Sequence, residues 1–193
     1  ARSVDQIVDD AVSEAVYMLT AEPVPSGTYR AIIENKCMPD LLAAFSNVFS
    51  AEAAQKGLSL LAGKEGEMIA SEAVTLMDDP LLKNGLASQP FDAEGVATYT
   101  KALIENGKLT TLLHNLKTAR KAGVKTTGNA AKAGYAGDVQ VAPSNLYLKP
   151  GEKTLAQMME DMGDGLVIND VSGLHAGADA SAAISRCWPR ATP

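Results

Sequence analysis

Apolar residues recur every three or four positions from the start of the chain. Val4, Ile7, Val8, Ala11, Val12, Ala15, Val16 and Leu19 form one stripe, Ser3 and Gln6 stand in capping-box positions, and Glu22-Pro23 ends the run. The spacing returns at Leu41, Leu42, Phe45, Val48 and Phe49. With Pro39 in a tolerated first-turn position, Asp40 at the positive end and Gly57 as a stop, it predicts one buried helix over 39–57. Shorter helices are predicted over 114–122, stopped by Gly123, and over 154–162, opened by Thr154 and Gln157 and stopped by Gly163. Strand-like stretches lie at 28–35, 68–77, 145–149 and 166–171. The strongest local signal is Asn106-Gly107 between 96–105 and 108–113, because this pair supplies the two positive-φ residues of a tight hairpin turn. Residues 58–66, 81–94 and 125–141 carry little periodicity and read as loops. The class is α+β, with a largely antiparallel or mixed β-sheet and packed helices.

Composition narrows the functional classes. The 193 residues are 46% hydrophobic, enough for a substantial core, and carry a net charge of -6. The basic residues Lys117, Arg120, Lys121 and Lys125 fall at a predicted helix end, where cations complement the dipole, so no nucleic-acid surface is expected. No apolar run reaches the roughly 18 residues of a membrane span, the N-terminus does not read as a signal peptide, and a cytoplasmic location follows as the expectation. Cys37 and Cys187 do not form a disulfide framework.

Candidate chemistry is sparse. The two histidines, His114 and His175, are too few for a zinc site, and no HxxxH, HExxH or CxxC spacing occurs. His175 is the better functional candidate, because Gly173 and Gly177 allow close backbone approach. Cys37 reads as a semi-buried thiol. Asp78-Asp79 and Asp164 read as turn carboxylates, and Glu160-Asp161 as exposed helix carboxylates. The polar loop Thr126–Ala130 could bind a peptide or cap a neighbouring element. These residues alone describe an acidic α+β domain with no self-contained catalytic constellation.

The segments LLAAFSNVFSAEAAQKGLSLLAGKEGEMIASEAVTLMDDP, FDAEGV, LIENGKLTTLLHNLKTARKAGVKTTGNA, PSNLYLKPGE and GDGLVINDVSGLHAGA resemble the C-terminal domain of the TldD/PmbA family. These proteins are also described as modulators of DNA gyrase and of peptide maturation. The likeness runs from about Pro23 to Ala178. It implies a cytoplasmic metallopeptidase of two subunits, in which TldD-type chains carry an HExxxH zinc helix and PmbA-type (TldE-type) chains lack it. Setting LLHEAVGH-like helices on LLAAFSNV puts the first histidine at Ala43, the glutamate at Ala44 and the second histidine at Val48, with Ala70-Ser71-Glu72 keeping the register. The resemblance therefore implies a non-catalytic PmbA-type subunit, with no catalytic, cofactor or metal residues of its own and zinc on a TldD-type partner.

Three parts are expected: a connecting helix over 1–22, the family-like domain over 23–178, and a tail over 179–193 that departs from the family's NxxSGDFSLxAKGY continuation. A one-base shift of frame would let Ala183–Pro193 read GDFSLLAKGYP, which suggests a shifted reading frame and a lost strand that leaves an open sheet edge. Gly128, Asn129, Gly173, His175 and Gly177 are the candidate peptide-binding or interface loop residues. The expected partners are a TldD-type subunit or a second copy of the chain, and unfolded peptide. The alternatives are a stand-alone peptidase built from His114, His175 and acids, and a peptide-binding scaffold without a peptidase partner.

Overall fold

The computed structural model describes residues 3–19, 22–174 and 188–192. They fall into two units, one up to Arg30 and one from Ala31 onward. The first unit holds helix α1 (Val4–Met18). Its capping box forms as the sequence predicts: the Ser3 amide donates to Gln6 Oε1 at 3.0 Å and the Gln6 amide to Ser3 Oγ at 3.2 Å. The stripe residues Val4, Ile7, Val8, Val12, Val16 and Leu19 are exposed.

The second unit is built on two sheets. Strands β2 (Leu76–Asp78), β3 (Lys101–Glu105), β4 (Lys108–Leu109) and β7 (Leu146–Leu148) form an antiparallel sheet in the order β4-β3-β2-β7. Its hairpin turns where the sequence places it. Asn106 and Gly107 have φ of 48° and 81°, and a Cβ on Gly107 would lie 2.5 Å from the Ala70 carbonyl oxygen. The second sheet has the order β1-β8-β9, with β1 (Ala31–Ile33) parallel to β8 (Leu166–Ser172) and β9 (Trp188–Thr192) antiparallel to it. A two-residue ladder joins β5 (Ala130–Ala131) to β6 (Gln140–Val141). The α+β class with mixed sheets is what the sequence predicts.

Three expectations need correction. The helix over 39–57 is not continuous. Helix α2 (Met38–Phe45) gives way to a 3-10 turn over Ser46–Phe49, and helix α3 (Ala51–Gln55) follows. The cause is local. Ser46 Oγ donates back to the Ala43 carbonyl, Ser50 is extended and its Oγ caps the Ala53 amide, and the backbone on either side of Ser50 bonds to Leu113. Peptide groups engaged with Leu113 cannot continue a helical ladder. Nor is the whole stretch buried: α2 has no fully buried side chain, whereas Phe49, Ala51 and Ala53 are in the core.

The strand predicted over 68–77 is confined to Leu76–Asp78, because Val74 N–H closes a turn onto the Ser71 carbonyl. The edge expected to stay open after residue 178 is paired: Trp188–Thr192 lies along β8. Ladder pairing depends on the backbone more than on side chains, and Pro189 is tolerated in a terminal strand.

The two remaining helices match their caps. In α4 (Leu116–Ala122), Asn115 and Thr118 form a capping box and Gly123 closes the helix at φ 70°. In α5 (Leu155–Met162), Thr154 and Gln157 do the same at the start. Leu76, Leu103, Leu109 and Leu113 are fully buried and, with Phe49, Ile104, Leu112 and Val141, make the core.

Candidate functional site

Ala43, Ala44 and Val48, the positions that the sequence resemblance sets against a zinc helix, lie on α2 and the 3-10 turn after it. Ala43 is exposed, and Ala44 and Val48 are half-buried. Val48 packs against the core. None of the three has a nitrogen, oxygen or sulfur donor in its side chain. Zinc needs three or four such donors, and a hydrolytic zinc also needs a base to activate water. Among the described residues no group of three or more His, Cys, Asp or Glu is placed to hold a metal ion. The residues at the helix do not fit zinc.

The polar chemistry of the domain is buried elsewhere. Asp78 pairs across the sheet with Lys101, their opposite positions in the β2–β3 register, with Lys101 Nζ 3.3 Å from Asp78 Oδ2. Asp78 is 0% exposed. Its carboxylate also accepts from Asn129 Nδ2 at 2.7 Å and from the Ser144 amide at 2.7 Å. Lys101 further donates to Asn129 Oδ1 and lies 4.6 Å from the Tyr99 ring centroid. Burial lowers the Lys101 pKa, and Asp78 beside it opposes that shift. The sequence reading of Asp78 as a turn carboxylate is therefore wrong. Asp79 does serve a turn, accepting from the Leu81 amide and the Thr100 hydroxyl. The missed signal was the pairing of a carboxylate and an ammonium on β2 and β3, two strands that pair across the long 79–100 connection.

A second carboxylate works in the same way. Asp92 accepts from the Glu94, Val96 and Ala130 amides and so fastens the loop before β3 to β5. Glu94 in turn accepts from the Leu116 amide at the start of α4.

His114 is 6% exposed. Thr126, Thr127 and Asn129 fold over its backbone: the Thr126 and Thr127 hydroxyls and the Thr127 and Asn129 amides all donate to the His114 carbonyl. The Thr126–Ala130 loop thus caps a neighbouring element. The His114 ring Nδ1 has no hydrogen-bond partner in the structure. Burial pushes the His114 pKa down, with Glu65 and a Thr118 backbone hydrogen bond acting the other way. Cys37 is buried, its Sγ donates to the Ile168 carbonyl at 3.6 Å, and burial raises its pKa ahead of the weaker opposing effect of Lys36. A buried thiol of raised pKa is a poor nucleophile.

Of the candidate loop residues, Gly128 has φ 68° and a Cβ there would lie 3.0 Å from the Ala97 carbonyl oxygen. Asn129 is 2% exposed, and its amide group is fully engaged by Asp78, Lys101 and the Ala142 carbonyl. Its side chain is thus committed to the core. Gly173 is half-buried with φ 75°. His175 and Gly177, and with them the peptidase site drawn from His175, lie outside the described residues.

Residues 26–187 match the family described as the PmbA/TldA metallopeptidase C-terminal domain. A metalloprotease of Methanothermobacter thermautotrophicus is 39% identical over 166 residues, which cover 83% of this chain and 35% of that protein. The metalloprotease PmbA of Escherichia coli O157:H7 is 37% identical over 108 residues, 56% of this chain and 22% of that protein. A solved Thermotoga maritima structure, described as a candidate modulator of a DNA gyrase, matches with a TM-score of 0.86 at 41% identity, covering 94% of this chain and 41% of its own. The structure of TldE from Thermococcus kodakarensis matches with a TM-score of 0.72 at 28% identity, covering 89% and 40%. The chain spans about a third of the length of the curated relatives it matches.

Proposed function

Because this chain belongs to the PmbA/TldD metallopeptidase family, through its C-terminal domain, we propose that it is a non-catalytic subunit of the PmbA/TldE type. It pairs with a zinc-bearing TldD-type chain, and the pair acts in the cytoplasm on unfolded peptides in maturation and degradation. What supports this reading is that the resemblance sets the zinc ligands and the base at Ala43, Ala44 and Val48, whose side chains can perform neither role. The structure adds that the same stretch is broken at Ser46 and Ser50 and that its buried part, Phe49 to Ala53, serves the core. In this reading zinc stays on the partner, and this chain contributes surface and substrate chamber. Glycine loops near Gly128 and Gly173 are candidates for the subunit interface.

The test is coexpression with a TldD-type chain that carries HExxxH, followed by pull-down, metal analysis and a peptide-cleavage assay. The expected result is a complex whose zinc is lost when the partner's histidines are replaced, and cleavage by the pair but not by this chain. Stoichiometric zinc on this chain alone, with cleavage of peptide, would overturn the reading.

A further inference from the structure

Both sheets of the second unit take strands from either side of one bare stretch of chain. Residues 132 to 140 are exposed without a break, and Tyr135 at the tip is 99% exposed. No residue of 132–139 joins a ladder. Among the described residues, the backbone there makes one hydrogen bond, from the Gly137 amide to the Gly134 carbonyl at 3.1 Å, which closes a tight turn. The neighbours of Tyr135 are small: Gly134, Ala136 and Gly137. An endopeptidase binds several consecutive residues in extended form, so it needs backbone that is not already engaged, and exposed tips of small residues supply it. The other long exposed loop, 81–91, differs in this respect. Its Leu81, Leu82, Gly85, Ala87 and Gln89 amides are all held by hydrogen bonds.

On both sides of the stretch the chain is fastened. β2, before it, pairs with β7, after it, and β1 pairs in the same way with β8. The Asn129 side chain donates to the Ala142 carbonyl, and the Ala142 amide to the Asn129 carbonyl, each at 3.1 Å. Asp78 Oδ1 accepts from the Ser144 amide at 2.7 Å. Val141 lies in the core with Leu76 and Leu103. The contacts that join the two parts are thus ladders, buried polar bonds and core packing, and none of them runs through 132–139.

We propose that 132–139 is a processing site: an endopeptidase that accepts an aromatic residue cuts after Tyr135, and the domain stays folded as two pieces held without a covalent link. One water is consumed. The bond between the Tyr135 carbonyl carbon and the Ala136 nitrogen breaks, Tyr135 gains a carboxylate, and Ala136 gains an amino terminus. The proposal goes beyond the subunit reading and does not rest on it, so failure to pair with a TldD-type chain leaves it standing.

The test is brief chymotrypsin digestion of the whole 193-residue protein, followed by intact mass, gel filtration and thermal unfolding. Within residues 31–174, the bond after Tyr135 is expected to be cut at least about tenfold sooner than any other, because the others wait for local opening. The nicked product should elute as one species at the size of the uncut protein and separate in urea. Its melting temperature should depend more steeply on protein concentration than that of the uncut protein, since its pieces associate by mass action. Tyr135→Ala should remove the chymotrypsin cut and leave the melting curve unchanged. Subtilisin, which is less selective for side chains, should still cut that variant within 132–139. An earlier cut elsewhere in 31–174, a Tyr135 bond that survives as long as the rest, or pieces that part on gel filtration without denaturant overturns the proposal.

Discussion

At the scale of single residues, the domain commits its strongest polar groups to holding itself together. Asp78 gathers an ammonium, a side-chain amide and a backbone N–H in a site without solvent. Asp78→Ala leaves Lys101 buried and unpaired, and should cost about 3–5 kcal/mol in urea denaturation. Lys101→Met should cost less, because Asn129 and Ser144 still satisfy the carboxylate; an equal or greater loss would refute this ranking. His114 gives a pH prediction. Burial holds its folded pKa below the ordinary value of about 6.5, so near and below that pH the unfolded chain binds a proton that the folded chain excludes. Its contribution is therefore full above about pH 6.5 and is lost as pH falls through the window beneath it. Urea midpoints at pH 7 and pH 5 should diverge more for the native chain than for His114→Gln, and identical slopes would contradict this assignment.

At the scale of elements, the features legible in the sequence were those set by local chemistry. Asn106-Gly107, the Ser3/Gln6 and Thr154/Gln157 boxes and the Gly123 stop act within a few residues, and each is present where the pattern puts it. The 39–57 stretch misled because its interruption comes from a distant residue: Leu113 claims the peptide groups around Ser50, and no periodicity within the stretch records that. Asp78 was misread for a similar reason, since its partners lie 23, 51 and 66 positions away. Ala43, Ala44 and Val48 carry no donor atoms by residue type alone, but that only Val48 of the three packs against the core could not be read from the sequence. Two substitutions test the local rules. Gly107→Ala should destabilise by more than about 1 kcal/mol, combining a positive φ with a clash at Ala70, while Asn106→Gly should be nearly neutral. Ser50→Ala removes the cap of α3 and should cost about 1 kcal/mol in the same denaturation assay.

For the whole molecule, the family match and the fold describe a chain with the architecture of the family's C-terminal domain, and the proposed reading is that Ala43, Ala44 and Val48 replace the catalytic side chains of its zinc helix. Inductively coupled plasma analysis of the purified chain should find well under one zinc per chain, and restoring one histidine at Ala43 should not change that, because a single ligand cannot hold the ion. The segment from Lys125 to Asn145 carries a further consequence. It has little regular ladder, only the pairs Ala130–Val141 and Ala131–Gln140, yet its Ala130 and Ser144 amides are held by the carboxylates of Asp92 and Asp78. Side-chain anchoring of this kind changes the timescale on which a loop opens. Those two amides should exchange with deuterium as slowly as the centre of β3, while the amides of Gly134 and Gly137 at the exposed tip exchange quickly. A loop by appearance would then open only when the whole domain does.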